Sequence, residues 1–175
     1  MQRISIVGSG GAGKSTFAKQ VGAILNLPVI HLDSLFWQPG WVETPEERWR
    51  EVIQQIVQRD TWVIDGNYGS TLDIRFAATD TIIFLDYPRL LCLYRVLKRR
   101  VQYTGRTRPD MAEGCPEKID LAFLRWIWNY PRTGRVQVLN AIEQYRESKT
   151  IVQLHSPHET QRFLSALVRA KSLTA

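Results

Sequence analysis

The chain has 175 residues, of which 44% are hydrophobic and 23% charged, with a formal net charge of +6 and two cysteines. This is the size and composition of one globular domain with a buried core, and it excludes collagenous, low-complexity and disulfide-framed chains. No apolar run approaches the roughly 18 residues that a membrane span needs.

In chain order, Ile4-Ser-Ile-Val7 reads as a short buried strand and 16–25 as a helix. Between them lies Gly8-Ser-Gly-Gly-Ala-Gly-Lys14-Ser15, which fits G-x-x-x-x-G-K-[ST] at every position. Gly8, Gly10, Gly11, Ala12 and Gly13 allow a tight turn whose N–H groups approach phosphate oxygens. The amides of Lys14, Ser15 and Thr16 open a helix whose positive end points to the same place. The motif assigns Lys14 to the β- and γ-phosphates of ATP and the Ser15 hydroxyl to Mg²⁺. The first strand starts almost at once, leaving no room for a signal peptide. With the need for nucleotide, this makes the cytoplasm the expected compartment.

Pro28-Val-Ile-His-Leu-Asp33 is a second strand ending in an acid, followed by an aromatic stretch with Pro39 and Gly40. Thr44-Pro-Glu-Glu47 predicts a capping box with Thr44 as N-cap. Trp49, Val52, Ile53, Ile56 and Val57 recur at helical spacing behind it, a core stripe. Trp62-Val-Ile-Asp65 and Thr81-Ile-Ile-Phe-Leu-Asp86 are further strands, and a helix runs from Pro88 to about 103. Residues 105–117 carry two prolines and two glycines and read as a mobile loop. Helices follow over 119–130 and 136–145, separated by Pro131-Arg-Thr-Gly134. Thr150-Ile-Val-Gln-Leu154 is the last strand, and Ser156-Pro-His-Glu159 is a second capping box for a helix to about 169.

Five strands separated by helices predict an α/β fold: a five-stranded parallel sheet with helices on both faces, in one domain spanning 1–175. Ligands in such sheets bind beyond the carboxyl ends of the strands, where Asp33, Asp65 and Asp86 all lie. Asp65 is expected in the Mg²⁺ shell, with Asp33 beside it. Asp33 is also placed to orient an acceptor hydroxyl as general base.

The positive charge is concentrated in Arg89, Arg95, Lys98, Arg99, Arg100, Arg106 and Arg108, a window without acids; the rest of the chain is close to neutral. Such a window suits either nucleic acid or a phosphate clamp. Arg95 and Arg99 share one helical face. Arg106 and Arg108 suit a lid that closes over phosphates, with Arg132 and Arg135 as possible additions. Cys92 and Cys115 lack metal-ligand spacing and are expected as reduced thiols. His31, His155 and His158 form no metal pattern and read as structural.

The order of parts resembles the adenylate kinase-like family of small P-loop kinases, which includes shikimate and gluconate kinases. Val-Ile-Asp65-Gly66, and Phe-Leu-Asp86-Tyr-Pro88 followed by Arg95-x-x-Lys-Arg99-Arg100, carry that resemblance. It implies Arg95 against the adenine, Arg99 on phosphate, Ser156-Pro157-His158 along the adenine, an acceptor-binding segment at about 34–60 and a lid at about 104–135. His31-Leu-Asp33-x-Leu-Phe-Trp-x-Pro-Gly-Trp41, Asp65-Gly-Asn-Tyr68, Thr71-Leu-Asp-x-Arg75 and Arg108-Pro-Asp-Met-x-Glu-Gly-Cys-Pro116 resemble the bacterial FlaR-type DNA topology modulation proteins. That resemblance implies a DNA-linked role. The arginine with which adenylate kinases hold the acceptor phosphate is missing from Gly66-Asn67-Tyr68-Gly69, with Arg75 as its possible substitute. The expected activity is Mg-ATP-dependent phosphoryl transfer to a small nucleotide, nucleoside or hydroxy metabolite. The alternative is a nucleotide-binding regulator with weak DNA association, in either case a monomer or homodimer free of the membrane.

Overall fold

The computed structural model describes residues 1–103, 108, 110–116 and 118–173. Its frame is a parallel sheet of β1 (Arg3–Gly8), β2 (Val29–His31), β5 (Trp62–Asp65), β6 (Thr81–Leu85) and β7 (Thr150–Leu154), in the order β2-β5-β1-β6-β7. β3 (Trp37–Gln38) and β4 (Val42–Glu43) form a separate antiparallel hairpin. The central strands read as continuous apolar runs because both faces are covered. Val63, Ile64, Ile82, Ile83 and Phe84 are fully buried.

Alternation along the strands divides the core. Ile4, Ile6, Ile83 and Leu85 pack with α1 (Lys14–Leu25), α5 (Arg89–Gln102) and α8 (Pro157–Ser172). Val7, Ile82 and Phe84 point the other way, against α4 (Leu72–Ala78) and α7 (Gly134–Glu143). On that side Trp62 and Ile64 meet the apolar stripe of α3 (Glu46–Val57), with Trp49 and Ile53 buried in it. α6 (Leu121–Asn129) adds Ile127 to the first cluster, and the short α2 (Asp33–Phe36) leads into the hairpin.

The expected strands and helix faces are present, and several boundaries differ. α3 has Pro45 as N-cap, and no side chain caps it. Thr44 instead donates its hydroxyl to the Phe36 carbonyl at 2.6 Å, so its side chain closes the base of the hairpin. The second box forms in altered shape. Ser156 accepts from the Glu159 amide at 3.2 Å, while the Glu159 carboxylate accepts from the His155 amide at 2.7 Å. α6 starts at an Asp120 N-cap that accepts from the Phe123 amide at 2.7 Å. The expected break at 131–134 shortens to a 3₁₀ turn over Tyr130–Arg132. The aromatic stretch at 37–43 folds as the hairpin, which its pattern does not predict. Both cysteines are buried free thiols.

Candidate active site

At the carboxyl ends of the strands a cleft of about 1680 Å³ runs from the glycine-rich loop to the hairpin. The loop between β1 and α1 forms its floor. Gly10, Gly11, Ala12, Gly13, Lys14, Ser15 and Thr16 all line the cleft, while Gly8 lies beneath, packed on Leu85. Gly11 requires glycine twice over. Its φ is +81°, and a Cβ there would stand 2.3 Å from the Cys92 carbonyl oxygen. Phe123 and Trp126 stack on each other and lie against Gly10, so α6 covers the loop.

Lys14 donates to the Ser9 carbonyl at 3.0 Å, an ammonium folded back along its own loop. Burial lowers its pKa, partly offset by the attraction of Asp33 and Asp65. The Ser15 hydroxyl donates to Asp65 at 2.8 Å. The parallel register sets His31 opposite Asp65, and their side chains meet at 2.5 Å. His31 therefore orients the Asp65 carboxylate, a role that composition did not signal but an acid and a histidine at adjacent strand ends could have. Asp33 accepts from the Tyr68 hydroxyl at 2.7 Å. Burial, with Asp33 close by, pushes the Tyr68 hydroxyl well above the ordinary tyrosine range, so it stays a donor.

Arg95, Lys98 and Arg99 of α5 face the cleft. Arg95 donates to the Ala12 carbonyl at 3.0 Å and lies 5.3 Å from the centre of the Tyr87 ring. Arg108 is buried and paired with Asp110 at 2.8 Å. Burial would raise the Asp110 pKa, but Arg108, the Ser15 hydroxyl and His31 together hold it below the ordinary value. Nothing in the sequence pattern marks this acid, which lies beside Ser15 and His31. Arg106 lies outside the described residues. Pro157 and Thr160 line the cleft; Ser156 caps α8, and His158 faces a separate shallow depression.

Two arginines and an acid take structural positions. Arg75 is fully buried and donates to the Gly66 carbonyl at 3.0 Å and the Tyr68 carbonyl at 2.8 Å. Burial lowers its pKa to about 10. It fixes the 66–69 loop and does not face the cleft, which corrects its expected role as a hold on an acceptor phosphate. Arg135 makes a two-pronged pair with Asp86 at 2.8 and 2.9 Å, and Gln153 donates to the same carboxylate at 2.8 Å. Asp86 thus ties α7 to β7. Arg132 is exposed and outside the cleft lining.

Across the cleft the hairpin is clasped by residues 110–116 and by Lys118. Gly40 donates to the Gly114 carbonyl at 3.0 Å, and Trp41 Nε1 to the Pro116 carbonyl at 3.1 Å. Cys115 Sγ lies 3.1 Å from the Gln38 carbonyl, and Lys118 stands 4.8 Å over the Trp41 ring. The expected acceptor-binding and lid segments are therefore joined here by one backbone bond and by side chains.

Among the described residues no three His, Cys, Asp or Glu side chains gather into a metal cage. The oxygen set of Ser15 and Asp65 nevertheless suits Mg²⁺, which takes one or two protein ligands and completes its shell with water and substrate phosphates. A glycine-rich loop at the start of a helix, an ammonium and three cations along one wall suit a triphosphate.

No protein-family model matches the chain, and no curated protein does. Solved structures do. The shikimate kinase from Acinetobacter baumannii in complex with shikimate matches with a TM-score of 0.59 at 14% identity, over 97% of this chain and 92% of that one. The shikimate kinase from Aquifex aeolicus VF5 matches with 0.52 at 18% identity, over 99% of both chains. A gluconokinase from Sinorhizobium meliloti 1021 matches with 0.51 at 17% identity, over 99% of this chain and 97% of its own. The fold is that of the P-loop kinases. No described helix is long and apolar enough to cross a membrane.

Proposed function

We propose that the protein transfers the γ-phosphoryl group of Mg-ATP to a hydroxyl of a small acceptor. The observation that carries this reading is the pairing of two carboxylates with two different partners in one cleft. Asp65 is bonded to the motif hydroxyl of Ser15, and Asp33 is oriented by Tyr68. One acid belongs with the metal and the other is available to a substrate.

Lys14, Arg95 and Arg99 bind the phosphates, and the amides of the loop cradle them. Ser15 and Asp65, with Asp33 nearby, would hold Mg²⁺, which would supply positive charge to offset the charge that develops during transfer. Asp33 accepts the acceptor's hydroxyl proton. Its Oδ1 is taken by Tyr68, which leaves Oδ2 for that proton. The hairpin, residues 110–116 and Lys118 enclose the acceptor and exclude water. The need for ATP makes the cytoplasm the natural compartment.

Steady-state ADP release tests the reading. Lys14→Ala and Asp33→Asn each lower acceptor-dependent turnover on the order of 10²-fold or more, while circular dichroism stays that of the wild type. Undiminished turnover in both variants would contradict it. The second reading, a nucleotide-binding regulator linked to DNA topology, draws on the basic window and the motif resemblance. The orientation of Arg95, Lys98 and Arg99 toward the cleft favours the transfer reading. Binding to duplex DNA that weakens steeply with salt would favour the second.

A further inference from the structure

The transfer reading leaves open what kind of molecule offers the hydroxyl. The end of the cleft away from the loop speaks to its charge. Capture of a carboxylate or phosphate in a partly buried site needs a guanidinium or ammonium aimed at it, because an unpaired buried anion is costly. The described guanidiniums around the cleft, other than those of α5 and Arg125 on the α6 wall over the loop, are engaged by the protein itself. Arg75 holds two backbone carbonyls, Arg108 pairs with Asp110, and Arg135 pairs with Asp86. Lys118 sits on the face of Trp41.

The remaining lining is different in kind. Asp33 and Glu43 are acids, and Asn67 and Gln137 are neutral amides. Asn67 accepts from the Tyr130 hydroxyl at 3.2 Å, which leaves its amide N–H₂ for a ligand. Trp37 and Trp41 stand half-buried, 5.3 Å apart between ring centres, and both line the cleft. Trp37 is braced by Phe36, and Phe36 by Tyr68, so the aromatic platform and the Tyr68–Asp33 pair form one unit. Flat rings, neutral amides and two acids describe a site for an uncharged or cationic ring that is read by stacking and neutral hydrogen bonds.

We propose that the acceptor is a nucleoside-like compound, an uncharged or positively charged ring bearing a hydroxyl, and not a hydroxy acid or a nucleoside monophosphate. This inference rests on the transfer reading for its chemistry. The acceptor's hydroxyl oxygen bonds to the γ-phosphorus of ATP. The bond from that phosphorus to the β–γ bridging oxygen breaks, its electron pair leaves on ADP, and the hydroxyl proton passes to Asp33. The acceptor class separates this chain from its structural neighbour holding shikimate, a carboxylate-bearing acceptor.

Two measurements on the full chain test the inference. Quenching of tryptophan fluorescence is followed in the presence of a non-hydrolysable ATP analogue and Mg²⁺. The probes are adenosine, guanosine, cytidine and uridine, against shikimate, gluconate, AMP and CMP. ADP release is then measured with the same eight compounds and ATP. A nucleoside binds and raises ADP release, the acids and monophosphates do neither, and Trp37→Ala raises KM for that nucleoside on the order of tenfold with a smaller change in kcat. Stronger binding of any acid or monophosphate, or no binding of any nucleoside, overturns the inference. Binding of a nucleoside without phosphoryl transfer leaves the acceptor class standing and overturns the transfer reading instead.

Discussion

The two ends of the cleft are built by different means. At the loop end the backbone does the work: consecutive amides between β1 and α1, a strand-end acid and one lysine, all within short reach of a single eight-residue motif. At the hairpin end the lining comes from separated stretches, around residues 37–43, 66–69, 110–116 and 133–137, the first three held by side chain-to-carbonyl bonds. In the proposed reading, a backbone cradle recognises a nucleoside triphosphate because its donors are common to every sequence that can make the turn, and side chains gathered from distant positions carry the specificity for the acceptor. The same fold can thus keep one substrate and exchange the other.

Perturbing each end separately sharpens the contrast. The largest effect is expected at the loop. Gly11→Ala forces φ +81° on an L-residue and drives its Cβ into the Cys92 carbonyl, which lies 2.3 Å away. It should cost about 3 kcal/mol or more and abolish ATP binding, measured by denaturant unfolding and calorimetric titration. Next is Asp86→Ala, which strands the Arg135 guanidinium, itself only about a third exposed. A loss of about 2 kcal/mol is expected, with ATP affinity kept. Trp41→Phe removes one hydrogen bond across the hairpin clasp and weakens the Lys118 platform. It should cost about 1 kcal/mol locally, seen as faster hydrogen exchange at the Gly40 amide and a raised acceptor KM with KM for ATP unchanged.

The smallest effect lies outside the cleft and serves as a control. Asp80 accepts from the Gln2 and Arg3 amides at 2.7 and 2.9 Å and from Thr81 at 2.6 Å. Burial alone would raise its pKa, but these bonds hold it below the ordinary 3.8. The folded state therefore binds this proton less readily than the unfolded chain. Its contribution is complete above pH 3.8 and disappears as the pH falls through the lower folded value. Asp80→Asn should flatten the acid limb of the stability curve and leave both ends of the cleft untouched.

The same division explains what could be read from sequence. Gly8 to Ser15 is a local code, and the strands that flank it are apolar runs whose burial on both faces follows from their composition. Asp65 could be placed because strand direction fixes which end faces the ligand. Trp37 to Glu43 was harder. Two-residue strands give no period, although Pro39-Gly40 between aromatic residues is a turn signal that points to a hairpin. Thr44 matched a capping box locally, yet its hydroxyl is drawn to the Phe36 carbonyl by the hairpin's closure. The partners of Arg75, Asp86 and Asp110 come from register and packing over long sequence separations. Nothing in the spacing of those residues distinguishes a ligand clamp from a structural brace.

Phosphorus NMR of the protein with Mg-ATP and a pool of nucleosides tests phosphoryl transfer most directly. A growing phosphomonoester resonance is expected that matches the loss of the γ-phosphate signal and is absent with Asp33→Asn. Loss of the γ-phosphate solely into inorganic phosphate, at the same rate with and without the pool, would contradict it.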